Sequence, residues 1–299
     1  MGVLALLATA VIWGAAFIAQ KLGMDHLGPF AFNALRNALA GFALLLLLAL
    51  RRRADGVAPS AEDAAVARRN TWRGGWWCGI ALFAGMALQQ IGIGDCSPGV
   101  CAFLTTNYVL AVPLIGLFLG RRPGRTTWIG VAAAVAGTYL ICVTDGWRGG
   151  VGKGELFTLA CAIAFGVDVL VVDHWMRKPG VDVLKLCMIQ FFVCALLSLP
   201  FMALPSERAL LGWANVRAGA GAILYCGFIS SGIGYTLQNV GQKSVPAPLA
   251  AILMSLESTF AALFGWLFMH DVLSPRQLAG CAIVFAAVLF TQLCDVLRK

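Results

Sequence analysis

Two acids, Glu257 and Asp168, stand inside long apolar runs, and they are the first residues of this sequence to suggest chemistry. A charge at the centre of a bilayer costs at least about 2.5–3.5 kcal/mol on insertion scales, so each is a functional candidate by default. Glu257 falls close to the middle of the run 248–269. The residue 150 positions earlier, Asn107, is equally central in the run 98–120, and the two are expected to meet where the halves of the chain face each other. Asp168 falls about one helical turn from the middle of its run. Proton exchange by a buried carboxyl is one role for it, and pairing with Lys21 or Arg36 is another. Lys21 is near the end of its run and can snorkel. Arg36, with Asn33 and Asn37 beside it, reads as a helix-pairing residue. Other polar groups on apolar runs are Gln89, Gln90, Thr105, Thr106, Tyr108, Ser230, Ser231, Tyr235, Gln238 and Asn239. Each could bind a ligand or join helices. Trp13 could stack an aromatic solute or pack in a core.

Catalysis finds little support. His26, His174 and His270 fall at or just beyond the ends of runs, and neither an HExxH nor a GxSxG pattern occurs. Gly152–Lys153–Gly154 imitates a phosphate loop, but its glycine spacing is wrong and no Ser or Thr follows the lysine. The ten cysteines lie mostly in apolar runs without CxxC spacing and read as small hydrophobes. No cofactor and no metal are expected.

The elements that position these groups follow from composition. Of 299 residues, 60% are hydrophobic and 12% charged, against about 45–50% and about 25% in soluble domains. So few charges cannot solvate a soluble surface, and most of the chain must face lipid. The net charge of +8 forms no stripe for nucleic acid and reads as a topology signal. A signal peptide is not expected, since the first apolar run passes straight through Ala8–Thr9–Ala10.

Runs of about 20 apolar residues predict ten membrane helices: 2–22, 30–50, 74–93, 98–120, 126–143, 154–174, 183–204, 217–238, 248–269 and 276–294. They are unbroken rather than alternating, which argues against a barrel. The connection from Arg51 to Arg73 reads as a solvated cytoplasmic loop, its basic residues diluted by Asp55, Glu62 and Asp63. Fourteen basic residues fall on one set of connections: Arg51, Arg52, Arg53, Arg68, Arg69, Arg73, Arg121, Arg122, Arg125, Arg177, Lys178, Lys243, Arg298 and Lys299. Five fall on the other: Arg148, Lys153, Arg208, Arg217 and Arg276. This bias predicts both termini in the cytoplasm. Trp76, Trp77, Trp147 and Trp213 lie near span ends, as interfacial belts do. The spans 126–143 and 276–294 have few polar residues in their central turns and are expected away from any cavity, as scaffold or as the contact of a homodimer.

The halves, 1–145 and 152–299, resemble each other in register. Ala8, Ala10, Gly14 and Met24 match Ala160, Ala162, Gly166 and Met176. Pro98, Leu117, Phe118, Gly130 and Ala136 match Pro248, Leu267, Phe268, Gly280 and Ala286. Five spans per half oblige the second half to enter from the opposite side, giving an inverted repeat with its substrate site near the midplane.

Trp13–Gly14, Phe17, Lys21, Pro29 and Arg36 resemble the opening pattern of the EamA family, in the ten-helix drug/metabolite transporter superfamily. Leu117–Phe118–Leu119–Gly120–Arg121 with Trp128 and Gly130, and Leu267–Phe268–Met269–His270–Asp271 with Leu278 and Gly280, resemble that family's repeated motif. Arg121 and Asp271 stand where the family has Glu, and Tyr108 and Ser258 where proline is common. The resemblance implies an all-α integral membrane protein of the bacterial inner membrane, an exporter of amino acids, aromatic ones among them, or of related metabolites. It places Gln89, Gln90, Thr105, Thr106, Tyr108, Ser230, Ser231, Tyr235 and Gln238 around a central cavity. The expected partners are a small-molecule substrate and the lipid bilayer, with no nucleic acid. Efflux of cationic or lipophilic drugs is the alternative within this class, and an intramembrane lipid-handling enzyme the alternative outside it.

Overall fold

A computed structural model describes residues 1–50, 60–95, 98–143, 152–269 and 274–297. Among them every regular element is helical. The first half holds α1 (Gly2–Met24), α2 (Pro29–Leu50), α3 (Ala61–Asp95), α4 (Pro98–Thr106), α5 (Tyr108–Phe118) and α6 (Arg125–Cys142). The second holds α7 (Lys153–Met176), α8 (Val183–Ser198), the short α9 (Pro205–Leu210) and α10 (Trp213–Ala218), α11 (Ala220–Leu224), a π-helical stretch Tyr225–Tyr235, α12 (Thr236–Gln242), α13 (Ala247–Met254), α14 (Glu257–Met269) and α15 (Pro275–Val296). Taking α4 with α5, α11 with α12 and α13 with α14, nine helices among the described residues are long and apolar enough to cross a membrane. The remaining expected span, α6, has 18 residues but opens on Arg125, Thr126 and Thr127. It lies along α15.

The packing shows the repeat directly. Helix α3 packs on α7 and α8, and its counterpart, the eighth span, packs on α1 and α2. The fourth span packs on α7 as the ninth packs on α1, while α2 meets α8 and α6 meets α15. Exchanging the halves therefore leaves the set of neighbours unchanged, as a two-fold axis requires. With an odd number of spans per half, that axis lies in the membrane plane. Between apolar helices in lipid, close backbone approach supplies the attraction. A Cβ on Gly280 would stand 2.6 Å from the Gly137 carbonyl oxygen, so α6 and α15 meet through glycines.

Three features depart from the expected spans. Helix α3 begins at Ala61, well before the apolar run, because Ser60 caps it: the Asp63 amide donates to the Ser60 hydroxyl at 3.1 Å. The connection expected to be a loop is thus helical from that point. The fourth span breaks at Asn107 and the ninth at Ser255–Leu256, corresponding places in the two repeats. The eighth is π-helical through its middle. Arg51, Arg52, Arg53, Asp55, Trp147, Arg148, His270, Asp271, Arg298 and Lys299 lie outside the described residues.

Candidate functional site

The irregular spans converge on one cavity. It is lined by α1 (Trp13, Ala16, Phe17, Gln20), α2 (Arg36), α3 (Gln89), the fourth span (Thr105, Tyr108), α7 (Phe165, Asp168, Val169), the eighth span (Ser230, Tyr235, Gln238) and the ninth (Met254, Glu257). Both halves contribute, and neither α6 nor α15 does. The cavity is contracted: its volume is about 30 Å³, space for one or two waters.

Each broken helix delivers a group to this space. Glu257 opens α14, so its carboxyl stands at the N-terminus of a half-helix, where backbone N–H groups favour negative charge. It is 3% exposed, and Thr106 donates a hydroxyl hydrogen bond to its Oε1 at 3.3 Å. The Tyr108 hydroxyl is turned toward the same carboxyl but falls short of good hydrogen-bond geometry. Asp168 is 1% exposed. Gln238 lies against its carboxyl, yet Oδ1 has no hydrogen-bond partner among the described residues. Arg36 is 2% exposed. It donates from Nη1 to Gln20 Oε1 at 3.2 Å and lies 5.6 Å from the Phe32 ring centroid, while its Nε has no hydrogen-bond partner among the described residues. Among the described residues no ion pair joins Arg36 to either carboxyl.

The π-helical stretch explains how α1 is fixed beside the cavity. Side chains of α1 bond two carbonyls of this stretch. Trp13 Nε1 donates to the Ser230 carbonyl at 3.2 Å, and Thr9 donates to that of Gly234 at 3.1 Å. Tyr225 returns a bond to the Ile12 carbonyl at 2.8 Å. The Trp13 and Tyr235 rings then face each other with centroids 4.5 Å apart, forming an aromatic wall.

Of the residues singled out from sequence, Glu257, Asp168, Tyr108, Trp13, Gln89, Tyr235 and Gln238 share this cavity, and Asn107, Gln90 and Ser231 do not line it. Asn107 does not meet Glu257. Its amide donates to the Phe103 carbonyl at 2.8 Å on its own helix. At about 100° per residue, it lies on the side of the span away from Thr105. Gln90 reaches the Gln20 backbone carbonyl at 3.4 Å, behind the cavity wall. Ser231 is buried with its hydroxyl unpartnered. Arg36, read from sequence as a helix-pairing residue, joins α2 to α1 through Gln20 and also lines the cavity. Asn33, Arg36, Asn37 and Ala40 share one buried helical face, of which Asn33 and Asn37 bond Met86 on α3 and Arg36 alone lines the cavity. Lys21 neither pairs with Asp168 nor reaches water alone. It donates to the Ile93 and Gly94 carbonyls, both at 3.0 Å, and so caps α3.

Two related five-helix halves, enclosing charged groups deep in an apolar bundle, define a membrane transporter. The chain belongs to the EamA-like transporter family, whose model matches residues 1–143 and again 152–293. It is 26% identical over 291 residues to an uncharacterized transporter of Archaeoglobus fulgidus, covering 97% of this chain and 85% of that one. It is 26% identical over 212 residues to the threonine/homoserine exporter RhtA of Escherichia coli, covering 70% of this chain and 67% of that one. A solved crystal structure shares the fold with a TM-score of 0.76 at 19% identity, over 100% of this chain and 98% of that one.

Proposed function

We propose that the chain exports a small zwitterionic metabolite, an amino acid, across the bacterial inner membrane by alternating access, with both termini cytoplasmic. The observation that carries this reading is one cavity holding Arg36, Asp168 and Glu257 with no ion pair between opposite charges. A buried charge left without a partner is costly, and an amino acid supplies both missing partners. Its carboxylate suits the guanidinium of Arg36, and its ammonium suits Asp168 or Glu257. The Trp13–Tyr235 wall gives the side chain an apolar surface. Two carboxyls against one guanidinium leave one negative charge over, and a proton carried by one carboxyl would balance it. That is the basis for proton coupling. The relative named as a threonine/homoserine exporter supports the solute class. Movement of the halves 1–145 and 152–299 about the two-fold would enlarge the contracted cavity and expose it to each side in turn.

The surplus carboxyl also favours a second reading, efflux of organic cations. Transport by purified protein in liposomes separates the two. Zwitterionic amino acids should compete with one another and be unaffected by quaternary amines. Preferential movement of cations would replace the first reading with the second, and a product formed from lipid without movement of any solute would overturn both.

A further inference from the structure

The outer side of α6 carries a groove. It has a volume of about 570 Å³ and runs between the fourth span and α6, with Phe103, Leu110, Trp128, Val135, Tyr139 and Leu140 in its walls. The α6 residues in it recur at three- and four-residue intervals, a single helical face. Extended one turn back, that face reaches Arg125, which is exposed, as is Arg122 just before the helix. From Trp128 to Tyr139 the groove spans eleven residues, roughly 17 Å at 1.5 Å each, close to half of an apolar core about 30 Å thick. A single leaflet of acyl chain has that length.

The second half supplies a comparison. At the repeat offset of 150, Leu110 and Val135 correspond to Phe260 and Phe285. Those two rings pack edge to face with centroids 6.4 Å apart. Phenylalanine thus puts a larger side chain at both positions than Leu110 and Val135 do. By sequence, the counterparts of Arg122 and Arg125 are Val272 and Pro275. The second repeat thus has neither arginine at these two positions, although Arg276 follows one of them and lies 5.3 Å from the Tyr139 ring centroid at the far end of the groove.

We propose that this groove binds an anionic phospholipid, one acyl chain lying along α6 and the phosphate held by Arg122 and Arg125. Arg121 is left out because its guanidinium is engaged by Asp173 at 2.7 Å. The proposal concerns a surface apart from the central cavity and does not depend on the solute transported.

Native mass spectrometry of the full chain in detergent, titrated with phosphatidylglycerol or phosphatidylcholine, tests it. The wild type should retain phosphatidylglycerol in preference. At about five-fold per arginine, the double substitution R122Q/R125Q should weaken phosphatidylglycerol binding on the order of thirty-fold and weaken phosphatidylcholine, whose choline offsets the phosphate charge, less, so that the preference is lost. Both arginines are exposed, so this variant tests the headgroup without disturbing the fold. L110F/V135F, which places the aromatic pair of the second half in the groove, should abolish retention of both lipids, and Val135→Phe alone serves if the double change misfolds. Equal retention of the two lipids by the wild type would overturn the proposal, as would an R122Q/R125Q protein that still prefers phosphatidylglycerol. So would a filled groove that leaves lipid binding intact and instead shifts the protein from dimer to monomer, which would make this surface a contact between copies.

Discussion

Glu207 is 2% exposed although it lies in the connection between α8 and the eighth span. Its carboxylate accepts the amides of Phe30 at 3.2 Å and Ala31 at 2.9 Å, two N–H groups that the first turn of α2 leaves without helical partners. Pro29 opens that helix, where a missing N–H costs nothing. The second half of the chain thus caps a helix of the first. Hydrogen bonds to a charged group are worth about 1.5–3 kcal/mol each, and loss of an ordinary N-cap costs about 0.5–2 kcal/mol. Taking the low end for two bonds, Glu207→Ala should cost about 3 kcal/mol. Glu207→Gln keeps one acceptor oxygen and loses the charge, and should cost about half as much. Hydrogen exchange reads this locally: at about 1.4 kcal/mol per tenfold, the Phe30 and Ala31 amides should lose on the order of a hundred-fold protection in the Ala variant and about ten-fold in the Gln variant. Amides in the middle of α2 should change less. Equal protection in wild type and both variants would refute the cap.

At the α6–α15 seam, Gly280→Val should destabilise the protein by about 1–3 kcal/mol through overpacking against the Gly137 carbonyl; thermal unfolding in detergent checks this. In the cavity, Arg36→Lys keeps the charge but loses the planar fork that fits a carboxylate. It should reduce transport at least ten-fold (order-of-magnitude, one bidentate contact) while the amount of folded protein holds steady, and wild-type rates would count against the role given to Arg36. A reporter fused after Lys299 should behave as cytoplasmic, and a periplasmic signal would contradict the orientation drawn from the basic residues.

The spans were readable because lipid imposes length and composition on them, and the repeat because its small residues and prolines recur in register. Side-chain direction was less readable. Depth along a span follows from counting, and it placed Glu257, Asp168 and Asn107 at similar levels. Direction around the helix depends on which face the neighbours take up, so Asn107 turned from the cavity while Thr106 and Tyr108 turned to Glu257. Arg36 was read in part: it does join α2 to α1 through Gln20, as its position suggested, and it also lines the cavity. The breaks at Asn107 and Leu256 carry no proline or glycine to announce them. Glu207 was hidden because nothing in the local sequence of a short polar connection says which distant helix it caps.

The central claim is that a buried carboxyl at a broken helix handles solute or proton, and Glu257→Gln tests it most directly. The substitution keeps the shape of the side chain and an oxygen to accept the Thr106 hydroxyl, and it removes the charge. Wild type and variant would be reconstituted in liposomes and amino-acid flux measured across a range of pH. The account predicts a folded, correctly inserted variant whose flux is reduced and whose remaining activity varies less with pH. A stable Glu257→Gln protein with the wild-type rate and pH profile would contradict it.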